Sequence, residues 1–407
     1  MKDIPKIAAV GATRSAIVSR MWQAKQSFEL TGICDLNVPL AENQAALAEQ
    51  DGFPRPKVFS SLDIMLKWGK FDIVMLGSPD ATHYDLAAKI IRAGFHCYIE
   101  KPMTNSTSDA ASLVKIWKDS GKIAVVGHEW RYTEAIISAK EKIMSGIIGV
   151  PRLATTLDFC GRMGCYWRRK EWRESLRHPD NSLTLQKAIH HLDIQAYLLG
   201  ARAKSVFASG NMDQYGGEKP EDLTCNECSE AYSCPYHVDK IQVNGQPAPL
   251  LARDKLCVFA KDLSISDNQV VSIDYRNGAR GSYVECFFSP EYRIEHTIIG
   301  SLGQIRVRAL ANDPVMTLEL HRIGGDKAEV FKINAADCHG GGDLGIGKAL
   351  SRAVYTNRQI HPDPVDGYYS VATACAIDRS AAFHKPVTVE PLVSVSAKKP
   401  KKELLTI

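Results

Sequence analysis

Short apolar runs alternate with amphipathic stretches through the first third of the chain. Strand-like runs lie at Lys6 to Val10, Phe28 to Cys34, Phe71 to Leu76, His96 to Ile99 and Ile123 to Gly127, and helical stretches lie near 15–25, 38–50, 83–94 and 106–120. That alternation predicts a parallel sheet wrapped by helices, an α/β domain over residues 1–127. From 128 the pattern changes to a helix followed by a long β-rich region, which predicts a second, α+β domain over residues 128–390. A polar, cysteine-rich insertion interrupts that domain at about 215–260, and the basic tail 391–407 reads as a frayed, solvated end.

The length of 407 residues suits two domains. With 45% hydrophobic and 24% charged residues the composition is globular, which excludes a disordered, collagen-like or coiled-coil chain. Lys+Arg 50 against Asp+Glu 46 leaves a net charge of +4, too even for nucleic acid or an anionic membrane as the main partner. A small neutral or weakly charged ligand is expected instead. No apolar run approaches the roughly 18 residues of a spanning helix, and MKDIPK runs into IAAVG without a signal-peptide core, so a cytoplasmic protein is expected. In that compartment the eleven cysteines should be reduced, and a dense cluster among them points to metal.

Gly11-Ala12-Thr13-Arg14-Ser15-Ala16 sits where the first strand turns into a helix, the place at which backbone N–H groups hold a pyrophosphate. Thr13 stands where a second glycine is usual, so the turn alone also reads as an ordinary strand-to-helix connection. Asp35 ends the second strand about two dozen residues later, where a carboxylate accepts both ribose hydroxyls of an adenosine; a capping or surface aspartate is the bland alternative. The following Leu36-Asn37-Val38-Pro39 offers no cation for a 2′-phosphate, so NAD is expected over NADP. At Tyr98-Ile99-Glu100-Lys101-Pro102 another strand ends in an acid, an amine and a proline, at the sheet's carboxyl edge where open α/β folds bind ligands.

The run SPDATHYDLAAKIIRAGFHCYIEKPM, with the Gly11 turn and Asp35 upstream, resembles the Gfo/Idh/MocA oxidoreductases, the family of glucose-fructose oxidoreductase and inositol dehydrogenase. The resemblance covers essentially the whole chain. It implies a Rossmann domain for NAD and a second domain whose large, open, mostly antiparallel sheet closes over the nicotinamide. Lys101 would lie near the nicotinamide and the substrate hydroxyl, with Pro102 in cis, and Ser78, Pro79, His83 and Glu100 along the cofactor. Dimers or tetramers formed through that sheet are common in the family, so a homo-oligomer is implied.

Family members typically carry a D-x-G-x-H-x-x-D helix. In Leu185-Gln186-Lys187-Ala188-Ile189-His190-His191-Leu192-Asp193, His190 and Asp193 match it and Gln186 replaces the first aspartate. Helical spacing lets Lys187 and His190 reach one cleft, and Lys187 is placed to compensate for the lost carboxylate. A subgroup of the family shares this K-x-x-H pattern. Lys101 and His190 are then the groups that handle a hydroxyl proton while hydride leaves the same carbon. A lysine base needs a depressed pKa, and Lys187 as a neighbouring cation pushes that way. His191 reads as a buried structural histidine, and Asp193 as an orienting or capping group.

Arg162, Tyr166, Trp167, Arg168, Arg169, Trp172 and Arg173 form an aromatic and guanidinium segment suited to a pyranose, with CH faces for the indoles and hydroxyls for the arginines. Two or more of these arginines in the cleft would allow an anionic sugar. His128, Arg131 and Gln186 are further candidate substrate contacts, as are His339 and Asp343 of the His339-Gly340-Gly341-Gly342-Asp343 string that the same subgroup carries. Asp343 also reads as the N-cap of the helix that follows.

Cys225-x-x-Cys228-x5-Cys234 has zinc-knuckle spacing, with Cys257 available as a fourth thiolate and His237 as a substitute. Four thiolates close the tetrahedron, so a structural Zn²⁺ pinning the insertion is expected; unligated thiols or a disulfide are the alternatives. The leading functional expectation is an NAD-dependent dehydrogenase acting on a secondary hydroxyl of a sugar, glycoside or cyclitol, by resemblance at C3 of a pyranoside. A ketone at C3 acidifies the C2 proton, so an NAD-dependent glycosidase working by oxidation and elimination is the runner-up. A non-catalytic nucleotide-bound sensor is the third reading, resting on Thr13 and Gln186.

Overall fold

The computed structural model describes residues 4–161, 164–176, 181–240, 242–243, 246–247, 254–310, 313–335 and 338–392. Arg162 and nearly all of the 391–407 tail lie outside them. Six strands build the first sheet: β1 (Lys6–Val10), β2 (Glu29–Cys34), β3 (Lys57–Phe59), β4 (Ile73–Leu76), β5 (His96–Ile99) and β6 (Ala124–Val126). They pair in parallel, in the order β3-β2-β1-β4-β5-β6, so the direction in which successive strands are added reverses between β1 and β4. Central strands such as Ile73–Leu76 are buried at every position because helices cover both faces, which is why they read as unbroken apolar runs. The pattern did not reveal the three-residue β3 or the helix Leu62–Trp68 after it.

The second sheet takes β7 (Pro151–Cys160), β8 (Ala203–Asn211), β11 (Asn268–Tyr275), β12 (Arg280–Cys286), β13 (Tyr292–Gly300), β14 (Gly303–Leu310), β15 (Val315–Arg322), β16 (Glu329–Asn334) and β17 (Val387–Thr388). A two-stranded hairpin, β9 (Gln242–Val243) and β10 (Gln246–Pro247), belongs to the insertion. The nine strands run in the order β16-β15-β14-β13-β7-β12-β11-β8-β17, all antiparallel except the β7–β12 pair, which holds Arg280 beside Leu153 through Cys286 beside Phe159. Burial alternates along β11, so one face packs and the other is open. Helices Ile189–Leu199 and Pro364–Phe383 cover the packed face, and the second also lies against helix Thr107–Ser120 of the first lobe. On the open face Phe207 and Val270 are 44% and 55% exposed.

The chain does not divide cleanly at 127. Helix Gly342–Thr356 returns to the first lobe, where Ile346, Leu350 and Ala353 join the core of Ile7, Ala9 and Trp22. Trp22 Nε1 donates to the Asp343 carbonyl at 2.7 Å, and a Cβ on Gly347 would stand 2.4 Å from that indole nitrogen. The Gln359 side chain bonds both backbone groups of Ala124, closing the free edge of β6. Among the described residues no helix is long and apolar enough to cross a membrane.

Candidate active site

The carboxyl edge of the first sheet carries the dinucleotide-type turn. Gly11 has φ +102°, and a Cβ there would come within 2.5 Å of the Gly77 carbonyl oxygen, so only glycine fits between β1 and β4. Helix Arg14–Ala24 follows with no side-chain cap on its N-terminal amides. Asp35 lies beside this turn: its two oxygens accept the backbone N–H groups of Ala12 at 2.6 Å and Asn37 at 2.7 Å. Ser78 and Pro79 leave β4, and buried His83 places its ring nitrogens 2.9 Å from the Ser78 carbonyl and 2.8 Å from that of Pro102. That imidazole braces the loop carrying Lys101. The Lys101–Pro102 peptide is cis.

Arg14 reaches across the edge, donating to Glu100 Oε1 at 2.8 Å and to Asp343 Oδ1 at 2.5 Å, so the first helix, β5 and the returning helix share one ion-pair network. Burial works against the guanidinium's charge, but Glu100 and then Asp343 outweigh it and hold it firmly cationic. Asp343 is not the N-cap; that position is Gly341, and Asp343 sits in the first turn, where the helix dipole favours a carboxylate. His339 Nδ1 stands 2.7 Å from Asp343 Oδ2 and 3.4 Å from Glu129 Oε1.

Lys101 reaches from the first lobe to the turn that leads into the helix carrying His190. Lys101 Nζ donates to the Gln186 carbonyl at 2.5 Å, within a π-helical turn, Thr184–Ala188, that leads into helix Ile189–Leu199. Gln186 Nε2 reaches back to Asp80 at 3.1 Å, so the first lobe touches this turn twice. Burial, followed by the Lys101 charge, pushes the His190 imidazole well below its ordinary pKa. Burial likewise lowers the Lys101 ammonium, against Glu129, Glu100 and Asp80. His190 Nδ1, both ring nitrogens of His128 and Glu129 Oε2 are buried with no hydrogen-bond partner, a concentration of unsatisfied groups that fits a ligand-binding cleft. Residue spacing missed Glu129: it sits in a short 3₁₀ turn, Glu129–Tyr132, outside any motif.

Lys187 faces the sheet. Its ammonium donates to both Asp158 oxygens at 2.8 and 2.7 Å and lies 3.0 Å from His191 Nε2. Burial opposes that charge, but Asp158 overrides it and raises the Lys187 pKa well above the lysine range, so this lysine is a fixed cation and not a proton acceptor.

Three candidate substrate contacts are placed elsewhere and are corrected here. Arg131 is buried and paired with Asp193 at 2.6 Å and Asp366 at 3.2 Å, a tie inside the second lobe. Trp167 is fully buried among Tyr215, Val258 and Phe287, and Arg173 donates to the carbonyls of Trp167, Glu221 and Cys257, holding the insertion. Trp172 stacks on Tyr166 with ring centroids 4.6 Å apart, and the Arg169 guanidinium covers Trp172 while pairing with Glu171. Local aromatic and arginine content looked like a sugar platform because the fold that buries half of it is non-local.

Cys225, Cys228, Cys234 and Cys257 line one cavity of about 20 Å³ with His237 and Arg168, but among the described residues no three of their sulfurs form a set lying within 4.8 Å of one another. Arg168 Nη1 stands 3.3 Å from Cys225 Sγ. Three-group sets with ligand atoms within 4.8 Å of one another occur elsewhere, at Glu129, His339 and Asp343 and at His361, Asp363 and Asp366. Both are ion-pair networks whose cation is an arginine, Arg14 in the first and Arg131 with Arg202 in the second.

Residues 6–128 match the oxidoreductase family's NAD-binding Rossmann fold and residues 140–389 its C-terminal alpha/beta domain. The chain belongs to the Gfo/Idh/MocA oxidoreductase family. It is 27% identical over 370 residues to YteT of Bacillus subtilis (strain 168), covering 82% of this chain and 84% of YteT. It is 24% identical over 239 residues to the D-glucoside 3-dehydrogenase of Escherichia coli (strain K12), covering 58% of this chain and 64% of that enzyme. Levoglucosan dehydrogenase, solved with NADH and levoglucosan, has the same fold, with a TM-score of 0.73 at 18% identity over 96% of this chain and 100% of that one.

Proposed function

We propose that the chain is an NAD-dependent dehydrogenase that moves hydride between a secondary hydroxyl of a sugar, glycoside or cyclitol and the nicotinamide, with C3 of a pyranoside the favoured position. The observation that carries this reading is that Lys101 is bonded to Gln186 in the turn leading to His190, near enough for its charge to help keep that imidazole neutral. The relatives point the same way, one being a D-glucoside 3-dehydrogenase and one fold neighbour a levoglucosan dehydrogenase bound to NADH.

The chain's residues fit the dinucleotide. The helix amides after Thr13, which no side chain caps, suit a pyrophosphate, Asp35 keeps a lone pair on each oxygen for ribose hydroxyls, and the unpartnered buried groups lie at the Lys101 end. Bound NAD supplies the hydride acceptor. His190 Nδ1, neutral and unpartnered, takes the hydroxyl proton, while Lys101 Nζ donates to the same oxygen and steadies it as the carbonyl forms. Tyr166, Trp172 and Arg169 are the half-buried part of the aromatic segment and remain the candidate sugar platform.

Four soft donors around one cavity suit Zn²⁺, which Cys225, Cys228, Cys234 and Cys257 would hold as a pin for the insertion. The exposed apolar positions Phe207 and Val270 suit a homo-oligomer formed through the open sheet face, and a reduced, cytoplasmic setting suits the free thiols. Incubation with NAD and a panel of glycosides and cyclitols, following NADH absorbance and aglycone release together, tests the reading. NADH should accumulate with at least one pyranoside; aglycone release without NADH would move the assignment to the glycosidase.

A further inference from the structure

An open cavity of about 780 Å³ lies at the junction of the lobes, inside the roughly 300–1,000 Å³ range of small-molecule sites. The first lobe contributes residues 105–108, where helix Thr107–Ser120 begins. The second contributes residues 181–185 at the start of the π-helical turn, Gln269 of β11, Glu285 of β12 and the final turns of helix Pro364–Phe383. Lys101, His128, Glu129 and His190 take no part in its walls, so it is separate from the catalytic cleft.

The walls suit a neutral, polar ligand. Seven hydroxyl side chains line the cavity together with the amides of Asn105, Asn181 and Gln269, which gives donors and acceptors without charge. Asn105 Oδ1 is buried with no hydrogen-bond partner, an acceptor left for a ligand's donor. Its neighbours are held in place: Ser182 Oγ donates to Asp378 Oδ2 at 2.7 Å, and Gln269 Nε2 donates to Glu285 Oε2 at 2.7 Å. Burial raises the Asp378 carboxyl above its ordinary pKa, against bonds from Thr184 and Ser182, and burial with Asp158 raises Glu285 to about 8, so both acids lean towards the uncharged form. Among the described wall residues the one cation is Arg379, and Glu390 pairs with it at 3.3 Å. No aromatic ring stands among them, so a nucleobase has nothing to stack on, while Leu183, Leu185 and Ile265 offer apolar surface to CH groups.

We propose that this cavity is a second, non-catalytic binding site that takes a neutral polyhydroxylated molecule, a monosaccharide or cyclitol, and braces the two lobes against each other. A ligand that bonds Asn105 together with Ser182 or Gln269 bridges elements of different lobes. Thr184 and Leu185 wall the site, and the carbonyl of the next residue, Gln186, accepts from Lys101 Nζ, so occupancy also steadies the turn that holds the amine. The inference goes beyond the dehydrogenase reading and does not depend on it.

The test titrates the cofactor-free chain with glucose, myo-inositol and sorbitol by calorimetry and maps the bound state by amide hydrogen exchange. At least one of the three should bind saturably and slow exchange at residues 105–110, 264–269 and 378–382. Ala382→Trp, at an exposed position in the wall, should weaken that binding more than about tenfold while NAD affinity stays at the parent value. Asn105→Ala should weaken it about 3- to 10-fold, the loss of one hydrogen bond. Asp378→Asn should stay within about threefold of the parent, because recognition calls on no charge, and neither glucuronate nor spermidine should displace the bound polyol. Absence of saturable binding by all three, protection confined to the segments around Lys101 and His190, or undiminished binding by Ala382→Trp would overturn the second site. A loss beyond about tenfold in Asp378→Asn, or displacement by spermidine, would show recognition of a cation and overturn the ligand class. If no sugar reduces NAD with the parent protein, the dehydrogenase reading fails on its own, and calorimetry with exchange still decides this site.

Discussion

Lys187 and Asp158 form an ion pair inside the second lobe, one ammonium held by both oxygens of a fully buried carboxylate. Tyr283 Oη donates to the same carboxylate at 3.0 Å, and His191 Nε2 stands 3.4 Å from it. Removing one member of such a pair strands the other charge in a low-dielectric interior, so Asp158→Asn should lower unfolding free energy by roughly 3–5 kcal/mol. Lys187→Met should cost less than Lys101→Met in catalysis and more in stability. Urea unfolding beside NADH-forming rates checks both.

Acid should also act on this pair. Burial works against the Asp158 charge, but His191 and Lys187 bring the carboxyl down to about 2, below its ordinary 3.8. A depressed carboxylate gives stability that is complete above the unfolded pKa and is lost as pH falls through the folded one, here between about 4 and about 2. The unfolding free energy of Asp158→Asn should therefore vary less with pH across that window than that of the parent protein.

His296, beside Thr156 and His191, titrates in the opposite sense. Burial pushes it from 6.5 down to about 4, so the folded state keeps it neutral where the unfolded chain would bind a proton. The unfolded state then binds more protons between about 4 and 6.5, and stability rises with pH across that range. Thermal unfolding should shift downwards on acidification from pH 6.5, less steeply in His296→Asn; parallel curves would assign the slope to other groups.

Gly11→Ala should be disabling for the cofactor. It adds a Cβ within 2.5 Å of a carbonyl oxygen at φ +102°, a strain of roughly 1–2 kcal/mol or more before any ligand is considered. NAD affinity by calorimetry should fall more than about tenfold, which is 1.4 kcal/mol. Arg131→Met offers the contrast: the protein should lose stability because Asp193 and Asp366 lose their cation, yet NAD affinity should hold.

The insertion makes its own prediction. Metal analysis of natively purified protein should give about one zinc per chain, and chelation should destabilise the segment around Cys225 to Cys257 while leaving NAD affinity intact. Clearly less than one zinc would leave the cavity to the thiols and Arg168.

Much of the nucleotide lobe could be read from the chain because buried parallel strands write unbroken apolar runs, as at Ile73–Leu76. The strand β3 could not, since Lys57–Phe59 is too short to show a period. Trp22 gives no local sign that its partner lies on the helix beginning at Gly342. Helical spacing grouped Lys187 with His190, but spacing does not report which face meets a carboxylate, and Asp158 on β7 decided that. Glu129 entered the site through packing alone, with no motif to announce it.

The most direct measurement compares the parent protein with Lys101→Met for NAD uptake by calorimetry and for NADH formation with a pyranoside panel. The expected result is NAD binding by both proteins and NADH formation that falls by at least about 100-fold in the variant. Failure of the parent to bind NAD, or undiminished NADH formation by Lys101→Met, would contradict the assignment of this site.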